Sequence, residues 1–237
     1  MPDDLRNPAA GRHLVVGFFT PNYRRLAEAF AANLKTHRQP FHLYAVPAVT
    51  RWEDATLKKP EIVLRAMADY PERTLILMDV DCTLHADISE LADDAGDITL
   101  NVKAWRQARV FPHACASSRM IAFRPTPKAR ELAECWKRFN SEYGARNDEA
   151  SLTLALSRTM GLTITTMPGV AGADEAVFER HPCVTHDSAH TSIIGRPNRT
   201  FSRSLKRWKR AAFKAITGSD YDLWRYAGTR PPSPSGR

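Results

Sequence analysis

The sequence of 237 residues predicts an α/β fold, a single domain with a mostly parallel central sheet. Short apolar runs alternate with segments of helical periodicity through its first eighty residues, which is the pattern of successive βαβ units. The run 75–78, Leu-Ile-Leu-Met, is apolar without interruption. Such a run is expected of a central strand that is covered by helices on both faces. A composition of 43% hydrophobic and 25% charged residues fits one globular core.

The first part of the chain supplies three strands and two helices. They are, in order, strand 13–19, helix 24–37, strand 41–47, helix 60–70 and strand 74–79. Helix 24–37 places apolar residues at helical spacing, with Asn33 as a polar exception. Pro60 followed by an acid in the first turn is a helix-start signal.

The second part of the chain continues the alternation of strands and helices, and a basic segment and a tail follow the domain. Its elements are strand 97–102, strand 120–125, helix 127–144, helix 148–161 and strand 162–168. Gly144 and Gly161 close the two helices. We therefore divide the chain into a flexible N-terminus 1–12, the domain 13–195, a basic helical segment 196–218 and a tail 219–237.

The basic character of the protein belongs to one segment. The net charge is +8, and the stretch between Asp187 and Asp220 contains eight Lys and Arg residues and no acid. Within 199–216, the residues Phe201, Leu205 and Trp208 share one helical face and the basic residues occupy the other. This pattern predicts either a helix lying on an anionic membrane surface or a helix docked on the domain. Nucleic acid is not expected as a partner, because no recognition fold accompanies the helix.

The sequence also indicates where in the cell the protein is expected. No apolar run is long enough to span a membrane, and the first residues lack the apolar core of a leader peptide. We expect a cytoplasmic protein that is peripheral at the inner membrane face if its basic helix binds lipid. The cysteines form no CxxC pair and are expected to be free thiols: Cys82, Cys115, Cys135 and Cys183.

Two carboxylates follow the central strand. Asp79 and Asp81 are two residues apart, so in an extended segment they project to the same side, beyond the carboxyl end of the sheet where α/β proteins bind ligands. Like charges held together favour a hard divalent cation with oxygen ligands. The pair predicts Mn²⁺ or Mg²⁺ with a phosphate-bearing substrate. The alternative is a solvated turn or a helix cap.

An ordered set of motifs carries a family resemblance. LVVGFFTPNY, TLKKPEIVLRAMADYPERTLILMDVDCTL, SSRMIAFRPTPKARELAECW, NDEASLTLAL and a late VTH resemble the GT-A-fold glycosyltransferases, in particular small bacterial nucleotide-diphospho-sugar transferases. The resemblance covers about residues 13–190. It implies a GT-A-like Rossmann-type domain and metal-dependent sugar transfer from a UDP- or GDP-sugar. The acceptor would be a glycan or a lipid-linked molecule.

The resemblance also implies metal ligands. Asp81 is the firmer ligand, and Asp79 reaches the metal or the ribose. The late histidine of the family matches His186, with His190 as the alternative. Because imidazole is softer than Mg²⁺ prefers, His186 favours Mn²⁺.

Further candidates surround the acid pair. Thr20 and Tyr23 lie in the first loop after a strand, where they would bind the nucleotide by a hydrogen bond and by stacking, or else form a plain turn with a core tyrosine. Lys59, or its neighbour Lys58, is implied to meet the diphosphate; the alternative is a solvated lysine pair. Ser118 stands where many family members carry glycine.

Asp148 and Glu149 are the catalytic candidates. The resemblance places an acidic pair here across the sugar from the metal, where it contacts the donor or acts as the general base of an inverting enzyme. The alternative is that both are first-turn acids which favour the helix dipole. The sequence leaves the stereochemistry open.

Two other functions compete with sugar transfer. DVDCTL resembles the DxDGTL motif of haloacid-dehalogenase phosphatases, whose first aspartate is a nucleophile. Against this reading, the motif follows two strand and two helix candidates, and Cys82 replaces the glycine. The second rival is a catalytically inactive, membrane-associated binding module that acts through 199–216.

Overall fold

A computed structural model describes residues 3–49, 52–93, 95–103, 115–142, 148–166 and 184–186. The strands and helices of these residues are, in chain order, β1 Leu5–Asn7, β2 His13–Phe19, α1 Arg24–Thr36, β3 Phe41–Ala45, α2 Trp52–Thr56, α3 Lys59–Asp69, β4 Thr74–Met78, β5 Cys82–Leu84, β6 Ile98–Lys103, β7 Cys115–Phe123, α4 Pro127–Glu142, α5 Asp148–Arg158, β8 Ile164–Thr166 and β9 Val184–His186. The four helices predicted within the domain, 24–37, 60–70, 127–144 and 148–161, are found within about three residues of their expected bounds, because amphipathic periodicity is a strong signal.

The described strands form one large sheet and one small ribbon. The large sheet has the order β1-β3-β2-β4-β7-β6-β8, and β5 pairs only with β9 in the ribbon. Strands β2, β3, β4, β6 and β8 run in one direction, whereas β1 and β7 run the opposite way. The prediction of an α/β domain with a mostly parallel central sheet is thus confirmed.

The side chains of β4 alternate between two hydrophobic cores. Leu75 and Leu77 pack in the core that α3, α4 and α5 cover, and Ile76 and Met78 pack in the core beneath α1 and β5. All four are at most 1% exposed. Burying each contributes roughly 1.5–3 kcal/mol, so the strand that ends at the acid pair is firmly held. The prediction that 75–78 is covered on both faces is confirmed.

The N-terminal expectation needs one correction. Within the predicted flexible stretch 1–12, β1 adds an antiparallel edge strand to β3. Backbone pairing and Asp4 hold this strand: Asp4 Oδ1 accepts a bond from the N–H of Ala45 at 2.7 Å, and its Oδ2 lies 3.0 Å from Nε2 of His42. A strand of three residues is too short to show periodicity, so no pattern predicted it.

The described residues contain no helix that is both long and apolar enough to cross a membrane. Of the cysteines, Cys82 and Cys135 are buried free thiols, as expected. The basic segment 196–218, the tail 219–237 and His190 lie outside the described residues, so these expectations stay predictions.

Candidate functional site

The acid pair lies in a turn at the carboxyl end of β4. The N–H of Asp79 donates to the carbonyl oxygen of Arg119 in β7 at 3.1 Å, and the N–H of Cys82 closes the turn by donating to the carbonyl oxygen of Asp79 at 3.1 Å. Asp79 and Asp81 are both partly exposed. The two acids therefore sit at the predicted sheet edge, where a ligand from solvent can reach them.

Lys59 joins Asp79 to a second carboxylate. It is the first residue of α3 and is 4% exposed. Its Nζ lies 2.8 Å from Oδ1 of Asp79 and 2.7 Å from Oδ2 of Asp148. The ammonium also lies 3.0 Å from the carbonyl oxygen and 3.2 Å from Oγ of Ser118. A lysine has three N–H donors, so these four acceptors occupy all of them.

The two lysines that precede Pro60 therefore differ. Lys58 is partly exposed and pairs with Glu61 at 3.3 Å, so the solvated alternative describes Lys58. Lys59 is buried and tied to protein groups. A diphosphate ligand would have to replace one of its present acceptors, so the implied diphosphate contact of Lys59 stays a prediction.

Asp148 is held at the first turn of α5 by side chains from two other elements. The hydroxyl of Ser118, in β7, donates to Oδ2 of Asp148 at 2.5 Å. The indole N–H of Trp136, in α4, lies 3.1 Å from the backbone carbonyl oxygen of Asp148 and 2.9 Å from Oγ of Ser151. Asp148 is 5% exposed, whereas Glu149 is partly exposed. The predicted acidic pair thus divides into a buried acid and an accessible one.

Burial and charge shift the site's pKa values in different directions. Burial lowers the pKa of Lys59, but the carboxylates of Asp148 and Asp79 raise it more, so the ammonium stays charged. Burial raises the pKa of Asp148, yet Lys59 and the Ser118 hydroxyl bring it below its ordinary value. Burial together with the charges of Asp81 and Asp148 raises the pKa of Asp79 despite Lys59.

The site places three acidic side chains near one buried ammonium. The Lys59 ammonium contacts the carboxylates of Asp79 and Asp148, and Asp81 lies near enough to raise the pKa of Asp79. Hard oxygen donors with excess negative charge are what Mn²⁺ and Mg²⁺ prefer. Among the side chains that the structure describes, no three His, Cys, Asp or Glu groups are placed so that they could hold a metal ion together, so metal binding by Asp79 and Asp81 stays a prediction.

His186 reaches this region through its backbone. In the ribbon, β9 is antiparallel to β5, with Cys82 opposite His186 and Leu84 opposite Val184. The residue opposite His186 directly follows Asp81. The structure therefore brings the third predicted metal ligand alongside the acid turn at the level of the backbone, and its role as a ligand stays a prediction.

The first loop of the domain borders the same turn. Thr20 is 4% exposed and donates through its hydroxyl to Oδ1 of Asn22 at 2.6 Å. Tyr23 is partly buried, and burial together with the charge of Asp81 raises the pKa of its phenol. The Tyr23 ring thus lies at the site's edge, near the acids. Nucleotide binding by Thr20 and Tyr23 stays a prediction.

Sequence reasoning missed part of the network. It placed Ser118 at the border of the pocket without assigning it a contact, and it did not single out Trp136 or Ser151. A signal existed for Lys59, because a lysine next to Pro60 on the inward face of an amphipathic helix needs a buried partner. No local pattern identifies that partner, since Asp148 is supplied by a different helix.

Solved structures share this architecture. A glycosyltransferase involved in the glycosylation of the major capsid of PBCV-1 matches with a TM-score of 0.60 and 11% identity, over 78% of this chain and 98% of that chain. LgtC, a galactosyltransferase solved with donor and acceptor sugar analogs, matches with a TM-score of 0.51 and 12% identity, over 90% of this chain and 99% of its own. The chain has a GT-A glycosyltransferase fold.

GlyE of Streptococcus pneumoniae TIGR4 has the fold too, with a TM-score of 0.50 and 11% identity over 86% of this chain and 64% of GlyE. No protein-family profile matches the sequence. No curated protein matches it either. The expected resemblance to GT-A glycosyltransferases is thus confirmed as a likeness of fold.

Proposed function

We propose that this GT-A-fold protein is a metal-dependent glycosyltransferase that moves a sugar from a UDP- or GDP-sugar to a glycan or lipid-linked acceptor. The observation that carries the proposal is the cluster at the end of β4, where Lys59 pairs with both Asp79 and Asp148, and Asp81 lies two residues after Asp79 in the same turn. An acid-rich, partly exposed cluster at the carboxyl edge of a mostly parallel sheet suits a phosphate-bearing ligand held with a cation.

In this proposal Asp81 and Asp79 hold Mn²⁺ or Mg²⁺, and His186 completes the ligand set from β9. An ion held by these residues would neutralise the charge that grows on the nucleoside diphosphate as the bond between sugar and phosphate breaks. Lys59 keeps the Asp79 carboxylate oriented and lowers the repulsion between Asp79 and Asp148. Thr20 and Tyr23 would bind the nucleoside from the neighbouring loop.

Asp148 and Glu149 take different roles. The low pKa of Asp148 makes its carboxylate a weak base, and its Oδ2 is already bound by Lys59 and Ser118. Asp148 is therefore suited to accept a hydrogen bond from the donor sugar and to fix Lys59. If the enzyme is inverting, Glu149 is the better general base because its partial exposure lets an acceptor hydroxyl approach.

Residues 199–216, within the basic segment 196–218, bear on the acceptor that the protein would use. The apolar face predicted for this segment, which includes Trp208, and its Lys and Arg residues would bind an anionic membrane surface. Such binding would bring the domain to a lipid-linked acceptor.

The test is turnover of UDP- and GDP-sugars with and without MnCl₂, for the parent protein and for Asp81→Ala. We expect hydrolysis or transfer by the parent only with metal, and a loss of at least about 100-fold in Asp81→Ala, the scale of removing a group that stabilises transition-state charge. Asp93→Ala is the control, since Asp93 forms an exposed pair with Arg12.

Two results would contradict the proposal. Equal turnover by the parent and Asp81→Ala would show that the acid turn does not serve the reaction. Release of phosphate from simple phosphomonoesters, without turnover of any nucleotide sugar, would favour the dehalogenase-like function.

A further inference from the structure

The polar exception in helix α1 makes a two-point contact with the ribbon. Asn33 lies on the side of α1 that packs inward and is partly buried. Its Nδ2 donates to the carbonyl oxygen of Leu84 at 3.0 Å, and its Oδ1 accepts from the N–H of Leu84 at 2.8 Å. One side-chain amide therefore satisfies both backbone groups of a residue in β5.

This contact replaces a missing neighbouring strand. The ribbon consists of three-residue strands, and two strands alone are marginally stable in water. Leu84 is 1% exposed, so an unpaired N–H or C=O there would be costly. An asparagine amide presents one donor side and one acceptor side, as a backbone peptide group does. Asn33 thus takes the place of a neighbouring strand on the edge of β5 that faces away from β9.

The ribbon in turn fixes the acid turn. β5 begins immediately after Asp81, and the N–H of its first residue, Cys82, donates to the carbonyl oxygen of Asp79. On its other edge, β5 pairs with β9, which carries His186. Displacing β5 would therefore move Asp81 and the backbone of His186 together.

We propose that Asn33 is a positioning residue for the metal-binding turn. It holds β5, and through β5 the acid Asp81 and the strand of His186, at the spacing that a bound cation requires. This inference rests on the proposed function, because it assumes that Asp81 binds Mn²⁺. Residues that orient ligands without touching the metal typically change metal affinity by about 10- to 100-fold.

The test is a titration of MnCl₂ in the presence of UDP, and in parallel GDP, followed by the paramagnetic resonance signal of free Mn²⁺. The variants are Asn33→Leu, which has a similar size but no donor or acceptor, and Asn33→Asp, which keeps an acceptor for the Leu84 N–H and loses the donor. We expect Mn²⁺ affinity to fall about ten-fold or more in both. If Asn33→Leu fails to fold, Asn33→Asp decides the question alone.

Thr126→Val is the matched control. The hydroxyl of Thr126 also makes one donor and one acceptor contact, to Oδ1 of Asp97 at 2.7 Å and from the N–H of Ala129 at 3.1 Å. Thr126 follows the last residue of β7, which pairs with the start of β4, whereas Ser118 lies near the end of β4 that carries the acid pair. We expect Thr126→Val to lower the thermal midpoint and to leave Mn²⁺ affinity unchanged.

Three outcomes would overturn the inference. Parent-like Mn²⁺ affinity in a folded Asn33 variant would show that the contact does not position the turn. An equal loss in Thr126→Val would show that general destabilisation causes the effect. No Mn²⁺ binding by the parent with either nucleotide would remove the proposed metal function, and the role of Asn33 with it.

Discussion

Lys59 and Asp148 form a buried ion pair, with Nζ and Oδ2 2.7 Å apart and side chains only 5% and 7% exposed. The same ammonium contacts Asp79 at 2.8 Å, so one cation holds acids from two different parts of the chain. Charges removed from water are costly unless they are paired and hydrogen-bonded. Removing either charge would therefore leave its partner buried and unpaired.

Replacing Lys59 with methionine should destabilise the protein strongly. The change keeps an unbranched side chain, one atom shorter than that of lysine, but leaves Asp148 and Asp79 without their cation, and breaking a buried pair in this way costs about 3–5 kcal/mol. Urea unfolding at pH 7 measures this loss. Lys58→Met is the control, because Lys58 is partly exposed and pairs with Glu61 at the surface, a contact of about 0–1 kcal/mol. Equal costs for the two variants would refute the role of Lys59.

Ser118→Ala should weaken the same cluster by removing one donor from a buried carboxylate. The expected cost is about 1–3 kcal/mol, since Asp148 loses the hydroxyl bond of 2.5 Å. Without that donor the pKa of Asp148 should also rise. Ser117→Ala is a matched control on the neighbouring residue of β7, which is buried too. Urea unfolding of both variants checks the difference, and no difference would contradict the account.

Gly17→Ala should strain the strand next to the acid turn. A Cβ at position 17 would lie 2.7 Å from the carbonyl oxygen of Met78, a backbone atom that cannot rotate away. Overpacking of this kind costs typically about 1–3 kcal/mol. At Gly11 the nearest atom to a new Cβ is a side-chain nitrogen of Arg73 at 3.5 Å, so Gly11→Ala should be nearly neutral. Thermal unfolding of the two variants distinguishes them.

Asp4 should make the edge strand sensitive to acid. Burial raises the pKa of Asp4, but its bonds from Ala45 and His42 and the charge of Arg65 bring it below 3.8. A carboxyl with a lowered folded-state pKa stabilises the fold above its unfolded-state pKa, and this contribution is lost as the pH falls through the folded-state value. The stability that the Asp4 carboxylate contributes should therefore begin to be lost as the pH falls to about 3.8, and the loss should continue at lower pH.

The measurement compares Asp4→Ala with the parent by urea unfolding from pH 7 to pH 3. At pH 7 we expect a cost of about 1–3 kcal/mol, the price of leaving the Ala45 N–H without its acceptor, and a smaller difference at the acidic end. Asp3→Ala is the control because Asp3 is exposed. A cost that does not change with pH would contradict the role of the Asp4 charge.

The fold could be predicted from sequence where burial leaves a periodic pattern. The apolar run of β4 and the amphipathic pattern of α3 identified the centre of the domain because side chains there must face a core. The start of β7 was missed because Ser117 and Ser118 read as a loop, although both are buried. β1 and β5 have three residues each, too few for a pattern.

Only those parts of the candidate site that lie next to a recognisable strand or helix could be predicted from the sequence. Asp79 and Asp81 follow β4 directly, so their place at the sheet edge was visible in the sequence. The partner of Lys59 was not, because Asp148 approaches Lys59 only after β7 has paired antiparallel to β4 and α5 has packed behind it. Contacts of that kind depend on tertiary packing and leave no local signature.

The pairing of β4 with β7, between which β6 lies in the chain, has a consequence for expressing the protein as two fragments. Lys59, Asp79 and Asp81 precede β6, whereas Ser118 and Asp148 follow it, and the two groups meet at the seam between β4 and β7. A split protein cut between β5 and β6 would therefore leave one lysine with two acids on the first fragment and its remaining partners on the second. Neither fragment alone would hold the complete cluster, so reassembly of the two would be required to restore it.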